Sequence, residues 1–262
     1  MSGGAAPAGL SPEVIECFRL ARSILFITGA GLSADSGLPT YRGIGGLYDA
    51  DATDEGLAIE DALSGTMLRA RPDICWKYLL QIESACRGAR PNRAHEVIAA
   101  FEADRPGVWV LTQNVDGLHR AAGSKNVIEI HGEVNTLLCT RCTWTERRAD
   151  WAGLVTPPLC PSCGAPVRPN VVLFGEMLPH AAMRTYARVL QAGFDLVVSI
   201  GTTSVFPYIS GPVVEARKAE IPTVEINPGE TEVSHVVRHR VRLGAAAALD
   251  AIWAALRSAG PA

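Results

Sequence analysis

No run in the 262-residue sequence approaches the roughly eighteen apolar residues that a membrane span requires. Met1 to Gly9 has neither a cationic start nor a long apolar stretch, so a secretory leader is not expected. An excess of positive charge is missing too. With 24 Lys and Arg against 27 Asp and Glu, the net charge of -3 gives no electrostatic reason to expect direct nucleic-acid binding. Internal repeats and low-complexity segments are likewise lacking. What remains is the composition of an ordinary globular chain, 48% apolar and 19% charged, long enough for one large domain with a small satellite.

The seven cysteines cannot all pair. Four of them form two knuckles, Cys139-Thr-Arg-Cys142 and Cys160-Pro-Ser-Cys163, separated by seventeen residues. Two Cys-x-x-Cys turns at this separation describe a tetrahedral zinc site. Four thiolates leave no open coordination position, so one Zn2+ held by Cys139, Cys142, Cys160 and Cys163 is structural and not hydrolytic. Cys17, Cys75 and Cys86 are then read as buried thiols, consistent with a reducing cytoplasm.

Ser11-Pro12 reads as an N-cap followed by proline in the first helical turn, which predicts a helix from Pro12 to about Ala21. Five short apolar runs end in polar or glycine residues: Ile24–Ile27, Val108–Leu111, Val127–Ile130, Leu196–Ile200 and Thr223–Ile226. Spaced by helical stretches, they predict an open α/β sheet whose ligands sit beyond the strand ends. A mostly helical stretch, about 44–91, and the cysteine module, about 136–169, interrupt that pattern and are read as a smaller second lobe.

Chemistry collects at those strand ends. Gly29-Ala30-Gly31-Leu32-Ser33-Ala34 fits the Gly-x-Gly-x-x-Gly/Ala fingerprint, whose glycines let backbone amides approach a pyrophosphate. The acidic residue that a dehydrogenase carries about twenty positions on, at the end of a second strand, has no counterpart, so a dinucleotide must be held differently. Arg42, in the next loop, is placed to pair with a phosphate. Asn114 and Asp116, beside Gln113, can meet the donor and the acceptor of a carboxamide, or else build an Asx-turn. His131 follows a strand and precedes Gly132, a setting for a general base at the sheet rim. His95, His119, His180, His235 and His239 lack that setting and are read as packing or surface groups.

In order, Gly29 to Gly43, Thr112 to His119, His131-Gly132, the cysteine quartet, Pro169 to Glu176, Gly201 to Ser204 and Ile226-Asn227 resemble the sirtuin family of NAD-dependent protein lysine deacylases. The likeness runs from about Ser11 to Ala255 and implies a Rossmann-like doubly wound parallel sheet with a smaller zinc-binding and helical lobe. On that pattern residues 11–43, 92–135 and 170–262 form the NAD-binding lobe, and 44–91 with 136–169 the small one. The resemblance implies that Gly29, Ala30, Gly31, Ala34 and Arg42 hold the pyrophosphate side of NAD, and that Gln113, Asn114 and Asp116 line its ribose and nicotinamide pocket. It implies further that Gly201, Thr202 and Ser204 meet the adenosine half, Asn227 its ribose, and the Gly244–Ala246 turn its adenine. His131 and Asn114 would be catalytic, with His131 taking a proton from a ribose hydroxyl. The acyl group would pass from lysine to ADP-ribose as nicotinamide leaves.

Acylated lysine in a protein or peptide is the implied partner, with Val172, Phe174, Gly175 and Glu176 in a strand segment that pairs with its backbone. One branch of the family grips acidic acyl groups with a Tyr-x-x-Arg pair. Here Tyr78 takes the tyrosine position and Gln81 the arginine position, so uncharged acyl groups, acetyl above all, are expected over succinyl. The Gly201 to Pro207 loop is one residue shorter than the family pattern. A mono-ADP-ribosyltransferase on the same fold and a catalytically silent NAD sensor are the alternative functions.

Overall fold

The computed structural model describes residues 9–40 and 53–258. Helix α1 (Pro12–Leu20) starts where the side chain of Ser11 accepts the amide of Val14 and Pro12 occupies the first turn. It buries Val14 and Phe18. Strand β1 (Ser23–Thr28) follows, then the short helix α2 (Ala30–Ser33) and a 3-10 turn, Ala34–Ser36. Helices α3 (Ile59–Ala62), α4 (Gly65–Ala70) and α5 (Pro72–Cys86) fill the first insertion. Helix α6 (Arg93–Asp104) opens on a reciprocal cap, Asn92 with His95, and leads to β2 (Gly107–Thr112), α7 (Leu118–Ala121) and β3 (Val127–Glu129). Next come β4 (Gly132–Cys139), β5 (Thr145–Arg147), β6 (Val167–Val171), α8 (His180–Ala192) and β7 (Leu196–Ile200). Helix α9 (Pro207–Lys218), β8 (Thr223–Ile226), β9 (His239–Val241) and α10 (Ala245–Ser258) complete the order.

Six strands form one parallel sheet in the order β3-β2-β1-β7-β8-β9. Chain order therefore reverses direction between β1 and β7, the switch point at which doubly wound sheets bind ligands. The strands are continuous apolar runs because helices cover both faces. From β1, Ile24 and Phe26 pack with α1, α6 and α10, while Leu25 and Ile27 pack with α8 and α9. Phe18, Phe26 and Phe101 meet ring to ring at centroid distances of 5.6–6.3 Å at the centre of the first face. No helix among the described residues is long and apolar enough to cross a membrane.

A second, antiparallel sheet has the order β5-β4-β6. It shares a separate core with α5, in which Trp76, Leu79 and Ile82 meet Val134, Leu137, Trp151 and Val167. Trp76 and Trp151 lie 5.1 Å apart, centroid to centroid. The sequence runs expected as strands all appear, whereas β9 and the three strands of the second sheet were not anticipated. The lobe boundaries expected at 135/136 and 169/170 fall inside β4 and β6, both of which belong wholly to the second sheet.

Candidate active site

The loops after β1 and β7 meet at the switch point through their backbones. Gly31 N–H donates to Gly201 O at 2.8 Å, and Gly29 N–H to Ile200 O at 3.1 Å. A Cβ on Gly31 would come within 2.8 Å of Gly201 Cα. One on Gly201, at φ 57°, would come within 2.4 Å of Leu32 N. The glycine amides expected to cradle a pyrophosphate are thus bonded inside the protein, and these glycines serve the close approach of two loops. Thr202 and Ser204 are buried and hold the β7 loop in place. The hydroxyl of Thr202 accepts from Gln113 Nε2 at 2.7 Å and from the Ser204 amide at 3.1 Å.

The end of β2 faces the same crevice. Asn114 is buried and donates both amide hydrogens, to Gly29 O at 3.0 Å and Ser33 Oγ at 3.1 Å. Its side-chain carbonyl is therefore what it has left to offer a carboxamide. Ser33 Oγ in turn donates to Asp116 Oδ2 at 2.7 Å. The other Asp116 oxygen accepts the Leu118 amide at 2.9 Å, which is the Asx-turn alternative realised beside the pocket. Burial raises the Asp116 carboxyl above its usual range, against the lowering effect of those two bonds. Asn114 and Asp116 line a cleft together with Ala30 and Ser33; Ile82, Ala85 and Cys86 from α5 close its opposite wall. The α5 wall was not anticipated. Its signal is the i, i+3, i+4 spacing of 82, 85 and 86, which brings them onto one helix face.

His131 stands just after β3, with each ring nitrogen engaged. Nδ1 lies 3.2 Å from the Gln113 carbonyl and Nε2 lies 2.8 Å from the Tyr208 hydroxyl. A carbonyl only accepts, so Nδ1 carries the hydrogen and Nε2 keeps the lone pair. Burial pushes the imidazole pKa below its ordinary value of 6.5, with the Gln113 carbonyl opposing in part. The ring is therefore neutral at pH 7, as a base must be.

Other expected residues sit farther out. Asn227 Nδ2 donates to Thr202 O at 3.3 Å, at the end of β8. Gly244 precedes α10 and Ala246 lies in its first turn, where the Ala246 amide donates to Asp35 Oδ2 at 3.2 Å. Ala34 begins the 3-10 turn behind α2. Arg42 lies outside the described residues.

The expected substrate residues lie in α5 and just after β6. Tyr78 does not line the cleft. It is buried in the second core and donates its hydroxyl hydrogen to Glu55, whose carboxyl is held down to about 2 by Lys77 and then by Tyr78. Gln81 is exposed, whereas Tyr78 lies one turn before Ile82 on the same buried face of α5. Val172 to Glu176 is not a regular strand, although one of its edges is already occupied. Val172 N–H donates to His131 O, Phe174 N–H to Leu63 O, and Gly65 N–H to Phe174 O. Glu176 folds back, accepting from the Leu173 amide at 2.9 Å and pairing with Arg168. Phe174 remains partly exposed and Gly175 turns at φ 77°.

The four cysteine sulfurs converge, all within 4.8 Å of one another. Cys139 and Cys163 are 3.5 Å apart, Cys142 and Cys160 3.6 Å. Zn–S bonds of about 2.3 Å make a tetrahedron with edges of about 3.8 Å, so the cluster fits zinc. The amides of Arg141 and Cys142 both donate to Cys139 Sγ at 3.3 Å, which stabilises a thiolate there.

A doubly wound sheet with a cleft beside its switch point, joined to a four-thiolate module, defines a dinucleotide-binding α/β protein with a metal-stapled lobe. The Sir2 family model matches residues 29–207, and the chain belongs to the Sir2 family. It is 53% identical over 232 residues to NAD-dependent protein deacylase 2 of Pseudomonas aeruginosa, covering 86% of this chain and 88% of that one. Among solved structures it is similar to a Sir2 homolog–NAD complex (TM-score 0.84, 30% identity, 95% of each chain). It is also similar to a Sir2–p53 peptide–NAD+ complex (TM-score 0.79, 27% identity, 93% of this chain and 97% of that one).

Proposed function

We propose that this chain is an NAD-dependent protein lysine deacylase, acting on acyl-lysine in proteins or peptides, with acetyl and other uncharged acyl groups preferred. The observation that carries this reading is His131, a buried neutral imidazole with its Nδ1 hydrogen fixed and its Nε2 lone pair turned toward a partner hydroxyl. NAD, when bound, supplies an activated ribose carbon with nicotinamide as leaving group, and the ribose that accepts the acyl group. Asn114 and Asp116 would hold the carboxamide, Asp116 as an acceptor and Asn114 through its free carbonyl. The apolar α5 wall would keep water from the reacting carbon. His131 would take the hydroxyl proton that must leave before the sugar oxygen can bond to the acyl carbon. A peptide would pair with the outer edge of Val172–Glu176, its inner edge being taken. The zinc cluster would hold the smaller lobe together and take no part in chemistry.

The acyl preference follows from charge. No basic residue is among the described cleft residues, and Asp116 contributes a carboxyl that burial already disfavours as an anion. A succinyl carboxylate would be a second negative charge without a partner. Incubating acetyl- and succinyl-lysine peptides with NAD and reading products by mass should give faster release of acetyl; faster succinyl release would reject the preference. His131→Ala should lower turnover by on the order of 100-fold or more while NAD affinity stays within about threefold. Labelled protein in place of deacylated peptide would point instead to mono-ADP-ribosyl transfer, and neither product to a silent sensor.

A further inference from the structure

The single lone pair of the proposed base is already taken. Nε2 of His131 can accept one hydrogen in its ring plane, and the Tyr208 hydroxyl at 2.8 Å supplies it. Tyr208 is well fixed. It lies in the first turn of α9, its carbonyl accepts the Tyr186 hydroxyl at 3.0 Å, and its ring stacks on Phe206 at 5.4 Å with the planes 10° apart. Both rings stand edge-on to the imidazole, Tyr208 at 5.9 Å and Phe206 at 6.0 Å. Moving the hydroxyl aside would break the bond to Nε2 and disturb the stack, whereas passing a proton through it requires neither.

We propose that Tyr208 relays the proton between the substrate hydroxyl and His131, an inference that rests on the deacylase reading above. As the sugar O–H bond breaks, its electron pair would form the bond to the acyl carbon, the π pair of that carbon's C=N+ bond would withdraw onto the lysine nitrogen, and the proton would go to Tyr208 Oη. The hydrogen of Tyr208 crosses at the same time to Nε2. The tyrosine ends neutral and the histidine ends as an imidazolium, with charge and atoms conserved. Tyr208 also keeps His131 in the required tautomer, since its O–H points at Nε2 while the Gln113 carbonyl holds the Nδ1 hydrogen.

Tyr208→Phe removes only the hydroxyl and leaves the ring to stack on Phe206. Two readouts test the relay. Nitrogen-15 NMR of the imidazole, recorded without NAD, should show His131 titrating at higher pH in the variant, because a hydrogen bond to the neutral form has been lost. Steady-state kinetics should show kcat lowered by about tenfold or more with KM for NAD within about twofold. The acid limb of the rate profile should move up with the NMR titration. The wild type should give a curved proton inventory in mixed light and heavy water, and the variant a linear one.

An unchanged His131 titration, or a kcat equal to or above wild type, overturns the relay. Wild-type protein that deacylates no peptide overturns the deacylase reading and the relay with it. An active wild type whose variant is equally fast overturns the relay alone.

Discussion

At the level of single residues, Gly201 is the clearest constraint. Its φ of 57° lies in the left-handed region, and an added Cβ would sit 2.4 Å from backbone nitrogen that cannot move aside. Gly201→Ala should cost about 2–4 kcal/mol in urea unfolding, as strained and overpacked sites do. Gly211, inside α9 with no atom near its missing Cβ, is the control, and Gly211→Ala should raise stability by up to about 1 kcal/mol. Asn114, Asp116 and His131 were legible in the sequence because each follows an apolar strand, where doubly wound sheets expose polar groups. Tyr208 was not, because nothing in its neighbours marks it, and only the fold brings a hydroxyl from the first turn of α9 to an imidazole 77 residues earlier. Tyr78 has its hydroxyl bonded to Glu55, a partner 23 residues away that no spacing in the sequence reveals.

Among elements, legibility followed hydrophobic pattern. The central strands are unbroken apolar runs and stand out. By contrast, β9 reads His239-Arg240-Val241 with only Val241 buried, too short and polar to notice. Strand β6 contains Pro169, and β4 has an irregularity between Glu133 and Leu137 that spoils its alternation. The second sheet is instead organised by its four thiolates and the Trp76–Trp151 pair. Cys160→Ser, or zinc removal with a chelator, should therefore abolish the near-ultraviolet circular dichroism of those tryptophans. Far-ultraviolet signal should largely persist, because the parallel sheet has its own cores. Simultaneous loss of both signals would show that the two lobes fold as one unit.

For the molecule as a whole, two buried histidines set the response to acid. His95 and His119 lie 5.0 Å apart beneath the sheet, with His119 bonded to Thr28 at 2.9 Å. Burial lowers His95 to about 4 and His119 well below 6.5. The unfolded chain then binds more protons than the folded one between those values. Stability is fully present above pH 6.5 and falls as pH drops toward 4, by on the order of 3 kcal/mol for His95. His95→Asn retains an acceptor for the Asn92 amide and removes the titration. Urea midpoints measured at pH 7 and pH 5 should differ less in this variant than in the wild type, whatever its absolute stability.

Strand β4 starts at Gly132, next to the base, and ends on Cys139, a member of the sulfur quartet. Gly132 is pressed so closely to the β6 backbone that any side chain would collide with Asn170 O at 1.9 Å. The mount of the imidazole and one member of the sulfur cluster are therefore the two ends of one eight-residue strand. Peroxide or other electrophiles that oxidise the thiolates would disorder that strand from its far end. Turnover would then answer to oxidative stress at a distance from the NAD pocket.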